Sequence, residues 1–413
     1  MTGAPRREEV IELWFSALKE YLSTTHHQTQ LSDQSSKRRK LSPSIQDTYI
    51  SCSFSETPIP NPILRHPIPR VENPSFSAFQ SKLSLPETQT PILIEGAISH
   101  WPALSDPNRQ WKNPSYLLSH TLDGRRLVPI ELGRAYTDSN WTQKIMSFGE
   151  FMRDHMFDSP PKHSISPNSK APHCKPRKKP TAYLAQHDLL TQLPTLRPDI
   201  CIPDYCYTAP APPSAPLPGH APRDSRLPDP LLNAWLGPRG TTSPLHTDPY
   251  HNILAQVVGC KYIRLYAPEH SRALWPRGTE RGVNMGNTSS IDLGTAMALF
   301  PEIGAGLEDS GAIPHHKHQP DEPDPEARAG NRPAVDAQLH GHAREFTKPE
   351  NSEADCARDP RRRRSFHSRF PGFVDAPYRE CVLGPGECLY IPAGWWHYVR
   401  SLSPSFSVSF WWD

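Results

Sequence analysis

The sequence has no run of about 18 apolar residues, so no membrane-spanning helix is expected. It has no excess of one charge: 45 Lys and Arg stand against 43 Asp and Glu, a net +2. A whole-surface nucleic-acid footprint needs a clear basic balance, so no direct nucleic-acid partner is expected. The opening residues, MTGAPRREEV, hold no apolar stretch behind a basic start, and no secretory signal is expected. None of the eight cysteines forms a C-x-x-C pair. A disulfide framework is not expected in a chain of this length without an export signal. Cys201 and Cys206 are a candidate zinc pair, but no second pair at finger-like spacing supports them.

Proline, in contrast, is abundant. Its 49 residues in 413 are about 12%, against a usual value of about 5%. Each proline removes a backbone donor, so they belong in linkers and insertions. Two stretches fit, at 157–180 and 207–230. Residues 1–65 read as one amphipathic helix (8–22) followed by a disordered basic linker. That linker holds Lys37, Arg38, Arg39 and Lys40, either a nuclear import signal or a solvated charge run. Residues 294–366 are rich in His, Pro, Asp and Arg and read as a disordered insertion, genuine or an error of the gene model.

Between these breaks lie short apolar or alternating runs. They include PILIEG (91–96), RRLVPIELG (125–133), LLNAWLGP (231–238), HNILAQVVGCKYIRLYAP (251–268) and SFSVSFWW (405–412). Phe406, Val408 and Phe410 alternate with serines, the period of a strand. Short strands between turn signals predict a mainly β domain over 66–413, a β-sandwich or jelly roll with flanking helices.

The chemistry centres on SPLHTDPYHN (243–252). On an extended segment His246 and Asp248 share one face and can grip one metal ion. They need a third ligand, for which His397 in GWWHYV, near the end of another expected strand, is the best candidate. Two His and one carboxylate on one side of an ion leave positions open, an arrangement suited to Fe(II) oxygenases. Lys261 sits in an otherwise apolar run, GCKYIRLY, and a buried ammonium needs a partner. That partner is either a structural carboxylate, solvent reached by snorkelling, or a bound anion.

Four segments, VPIELGRAYTDSNWTQ (128–143), AYLAQH (182–187), 233–268 and 385–412, resemble the JmjC protein hydroxylases, and among them the arginyl hydroxylases. The resemblance implies a double-stranded β-helix of the cupin kind and a catalytic centre using Fe(II), 2-oxoglutarate and O2. It implies that His246, Asp248 and His397 hold iron. Lys261 would pair with the far carboxylate of 2-oxoglutarate, with Tyr183, Ser243 and Asn252 hydrogen-bonding around it. Glu131, Tyr136 and Trp235 would line a pocket for a guanidinium-bearing side chain, although Glu131 also reads as an exposed strand carboxylate and Trp235 as a core aromatic.

Three functions follow as expectations. The first is hydroxylation of an arginine in a protein or peptide, with a chromatin-associated substrate and a nuclear location as the further expectation. The second is N-methyl-lysine demethylation by the same chemistry. The third is a non-catalytic cupin-like scaffold, which an intact ligand set with Lys261 disfavours.

Overall fold

The computed structural model describes residues 53–54, 61–138, 140–157, 180–217, 219–221, 226–280, 282–307 and 359–413. The helix expected at 8–22, the basic run at 37–40 and nearly all of 157–180 lie outside these residues. No helix among the described residues is long and apolar enough to cross a membrane.

The described strands are β1 (Arg70–Glu72), β2 (Ile92–Glu95), β3 (Leu127–Leu132), β4 (Thr142–Ser147), β5 (Ala182–His187), β6 (Leu231–Gly237), β7 (Thr242–His246), β8 (His251–Val258), β9 (Lys261–Tyr266), β10 (Thr279–Glu280), β11 (Val283–Asn284), β12 (Arg379–Leu383), β13 (Cys388–Ile391), β14 (Trp396–Ser401) and β15 (Ser405–Trp412). Nine form one sheet in the order β1-β2-β13-β8-β15-β6-β5-β3-β4, and four form a second in the order β12-β9-β14-β7. Within both sheets every pairing is antiparallel except β1 with β2.

The two sheets close on each other through a core of Leu93, Leu254, Ile263, Leu265, Leu383, Leu389, Ile391 and Val399. A larger cluster covers the outer face of the nine-stranded sheet, and a third covers the outer face of the four-stranded one. The central strands β8, β9, β13 and β15 are therefore buried on both faces. This explains β15, which the alternation of Phe and Ser marks as half-buried but which is buried along its whole length. Phe406, Val408, Phe410 and Trp412 fill the outer cluster. The serines point inward and are satisfied there: Ser407 donates to Gln256 Oε1 at 2.6 Å, and Ser409 Oγ accepts from Trp235 Nε1 at 2.9 Å. Buried hydroxyls with partners avoid the penalty of bare polar burial.

On the outer face, β9 and β12 are joined by a fully buried ion pair. Arg264 Nη2 lies 3.0 Å from Glu380 Oε2, and Tyr262 donates to the same carboxylate. Glu380 Oε1 accepts the Arg65 backbone N–H at 2.6 Å, which fixes the entry of the chain into the domain.

Two expected insertions prove partly integrated. The stretch at 207–230 does not simply project: the Ala211 N–H donates to Leu83 O at 2.8 Å and Ala211 O accepts from Gln89 Nε2 at 2.8 Å. Proline content cannot tell a strap laid on a surface from a free linker. The segment 294–366 is ordered at both ends. Leu293–Leu299 is a helix capped by Asp292 that buries Leu293, Ala296, Met297 and Leu299, and Pro360–Arg369 is another. A seven-residue apolar patch inside a long polar stretch was too short to read as helix. Residues 308–358 lie outside the described residues.

Candidate metal centre

β7 and β14 are neighbours, and His246 and His397 are partners across that pairing. Opposed residues on one face of a sheet bring their side chains together. The two imidazole centroids lie 4.2 Å apart. Asp248 completes the group: its Oδ1 is 3.8 Å from His246 Nε2 and its Oδ2 is 3.4 Å from His397 Nε2. One ligand atom from each of the three lies within 4.8 Å of the other two.

The placement differs from the strand reading in two details. β7 ends at His246, so Asp248 is set by a loop and not by the pleat. The backbone carbonyl of Asp248 accepts the Gly394 N–H at 2.9 Å, tying that loop to the turn before β14. Gly394 has φ +76, a conformation glycine adopts without strain. His397 stands near the start of β14 rather than its end.

The imidazoles are held in one tautomer. His246 Nδ1 donates to Pro244 O at 2.7 Å and His397 Nδ1 donates to Trp395 O at 3.0 Å. A carbonyl only accepts, so each Nδ1 carries the proton and each Nε2 keeps its lone pair for a metal. Burial, and next the neighbouring His397, push His246 down to about 4, so it is neutral near pH 7. For Asp248 burial opposes ionisation, but the closeness of His397 and His246 leaves its carboxyl below the ordinary value.

A pocket opens from this centre into the space between the sheets. It is lined by Tyr183, Trp235, Ser243, His246, Asp248, Asn252, Leu254, Lys261, Ile391, His397 and Val399. Eight of the ten residues singled out in the sequence thus meet at one place. Its central free volume is ≈ 30 Å³, enough for an ion or a water molecule. A larger cavity of ≈ 360 Å³ lies on the other face of β7, against Pro244, Arg134 and Asp292, and none of His246, Asp248 and His397 lines it.

Lys261, the first residue of β9, points into the pocket and is almost wholly buried. Among the described residues the only hydrogen bond of its ammonium is to Tyr183 Oη, a long 3.4 Å, and no carboxylate pairs with it. Burial pushes its ammonium down to about 7. Tyr183 is also hydrogen-bonded to Ser243, and burial raises its hydroxyl pKa. Asn252 Oδ1 is buried without a partner.

Glu131 and Tyr136 are not in the pocket lining. Glu131 is the partner of Tyr183 across β3 and β5, so it shares the inward face beyond the pocket's rim. Its Oε2 accepts from Trp141 Nε1 at 3.2 Å, and burial raises its pKa against the effect of that hydrogen bond. Tyr136 Oη lies 3.3 Å from Thr288 Oγ1. Trp235 tilts over Tyr183 at 6.0 Å. Sequence reasoning missed Trp141, Thr288 and Ser409, which hold these three. For Ser409 a signal existed, since it alternates with core residues of β15. It also missed the walls Leu254 and Ile391. Leu254 follows Asn252 by two in β8 and so had to share its face.

A family model described as cupin-like domain matches residues 78–413. The chain belongs to the cupin-like domain family. This cupin-like chain is 32% identical over 346 residues to Lysine-specific demethylase 8 of Xenopus tropicalis, covering 84% of this chain and 53% of the relative. It is 33% identical over 356 residues to the Danio rerio protein of the same name, covering 86% and 60%. Jumonji C domain-containing protein 5 of Drosophila melanogaster is 32% identical over 346 residues, covering 84% and 60%. The chain therefore spans between half and three-fifths of the length of these curated relatives. The two-sheet fold is that of a cupin-like domain.

The residues present fit the groups this family uses. Two neutral imidazoles and one carboxylate are a borderline-hard donor set compatible with Fe(II). An unpaired buried ammonium beside hydroxyls and a free amide oxygen is compatible with a guest bearing a carboxylate.

Proposed function

We propose that this chain is an Fe(II)- and 2-oxoglutarate-dependent oxygenase that hydroxylates an arginine side chain of a protein. The observation that carries the reading is the convergence of His246, Asp248 and His397, with both Nε2 lone pairs free, beside the unpaired Lys261. Iron, when bound with 2-oxoglutarate, supplies the activation of O2 that turns C–H into C–OH, with succinate and CO2 as co-products.

The chain's own residues do the rest. Lys261, Tyr183 and Ser243 bind the far carboxylate of the cosubstrate, and Asn252 orients it. Leu254, Ile391 and Val399 keep that end dry. Glu131 accepts the guanidinium of the target, held in place by Trp141, with Tyr136 and Trp235 as its aromatic walls. The depth of the centre between two sheets favours a long side chain over a small molecule. The run at residues 37–40 supports a nuclear location and, with it, a chromatin-associated substrate.

The second reading is removal of a methyl group from N-methyl-lysine, favoured by the names of the relatives from Xenopus and Danio. Mass spectrometry of a peptide library separates the two: arginine hydroxylation adds one oxygen, and demethylation removes one CH2. His246→Ala should abolish either change. A wild-type protein that consumes no 2-oxoglutarate with Fe(II) and any peptide would favour a non-catalytic scaffold.

A further inference from the structure

The arginine run at 361–364 has no part in the centre described above. It lies on the ten-residue helix Pro360–Arg369, whose cap, Asp359, accepts the Arg361 N–H at 2.8 Å. One face of that helix packs on the outer cluster of the four-stranded sheet. Phe366 sits against Phe300 and Phe370, and Arg363 pairs with Glu302 while lying 4.8 Å over the Phe300 ring. The other face is exposed and carries Arg361, Arg362, Arg364 and Arg369. Among the described residues none of these four forms an ion pair, in contrast to Arg363. Like charges close together on a helix destabilise it, and nothing described in the fold offsets them.

The C-terminal end of this row is aromatic. The Arg369 guanidinium lies 5.1 Å over the Phe370 ring, and Phe370 meets Trp275 edge-on at 5.9 Å. Trp275 is 37% exposed. Its φ is +52, a left-handed conformation that a bulky residue seldom adopts. A strained turn therefore holds an indole at the surface, beside a row of guanidiniums about 12 Å long.

We propose that this face binds single-stranded nucleic acid, with the four exposed arginines on phosphates and Trp275 stacking on a base. Arginine forks match phosphate geometry, and an aromatic face stacks on any unpaired base. An acidic peptide would use the guanidiniums and leave the indole idle. A duplex would offer Trp275 no open base face. The near-zero net charge of the whole chain conceals this local density. The face lies outside the four-stranded sheet, away from the pocket between the sheets, so the proposal stands apart from the proposed oxygenase activity.

Fluorescence anisotropy of the full chain with a short labelled oligouridylate tests it. Three or four phosphate contacts give a salt slope of about −2 to −3, a loss of about 20- to 50-fold between 50 and 200 mM salt. Arg361→Gln with Arg364→Gln should flatten the slope by about 1.4. Trp275→Ala should weaken binding about ten-fold at fixed salt without changing the slope, and Trp275→Phe should restore most of it. A thermal melt shows whether each variant keeps its fold. No binding at low salt would overturn the proposal. So would a polyglutamate peptide binding as tightly, or equal binding by Trp275→Ala in a folded protein.

Discussion

Lys261 offers the most informative single substitution, because stability and function should move in opposite directions. Its ammonium is buried, lacks a carboxylate, and titrates at about 7 against an ordinary value of 10.5. The difference corresponds to about 5 kcal/mol of destabilisation at acidic pH, an upper figure for the unliganded protein. The folded protein releases this proton near pH 7, while the unfolded chain holds it to about 10.5. Between those values the unfolded state binds more protons, so stability rises with pH across that window and is flat in this group below it. Lys261→Met keeps the volume and removes the charge. It should raise the unfolding free energy by about 1–4 kcal/mol at pH 6 and abolish most of the rise above pH 7. The same change should weaken 2-oxoglutarate binding by a factor of about 100 or more, since it deletes one partner of a buried ion pair. Urea unfolding between pH 6 and 9, with calorimetric titration of 2-oxoglutarate, reads both effects. A variant less stable than wild type at pH 6, or one with undiminished affinity for 2-oxoglutarate, would refute the reasoning.

Two further changes probe the frame that carries the centre. Arg264→Met leaves Glu380 buried without its cation and should cost about 3–5 kcal/mol in urea unfolding, while the double variant Arg264→Met with Glu380→Leu should recover much of it. Gly259 joins β8 to β9 at φ +68, and a Cβ there would lie 2.0 Å from Pro404 O. Gly259→Ala should therefore destabilise by about 1–3 kcal/mol and, by shifting the start of β9, weaken 2-oxoglutarate binding as well.

Much of the closed domain was legible because burial on both faces leaves dense apolar runs. HNILAQVV and KYIRLY are strands whose every residue is buried, and Gly259 marks the turn between them. Lys261 stood out for the same reason, as a charge where none is affordable without a partner. The candidate metal ligands were legible only in part. The spacing of His246 and Asp248 suggested a shared face, whereas a loop hydrogen bond to Gly394 sets the carboxylate, and no local pattern encodes that contact. His397 is 149 positions from Asp248 in the sequence, and only the pairing of β14 with β7 brings it to the ion site. The β3–β4 hairpin placed Trp141 on Glu131, ten residues away, and a contact 152 positions apart in sequence placed Thr288 on Tyr136. The helices Leu293–Leu299 and Pro360–Arg369 escaped because each is short and its apolar contacts come from elsewhere in the chain.

The decisive measurement is anaerobic titration of the purified chain with Fe(II), with Mn(II) as the spectroscopic substitute. One ion per chain is expected, and Asp248→Ala, His246→Ala and His397→Ala should each lower its affinity by about 100-fold or more while leaving the melting temperature of the metal-free protein unchanged or higher. Full occupancy at wild-type affinity in a folded Asp248→Ala or His397→Ala variant would contradict a centre built from these three side chains.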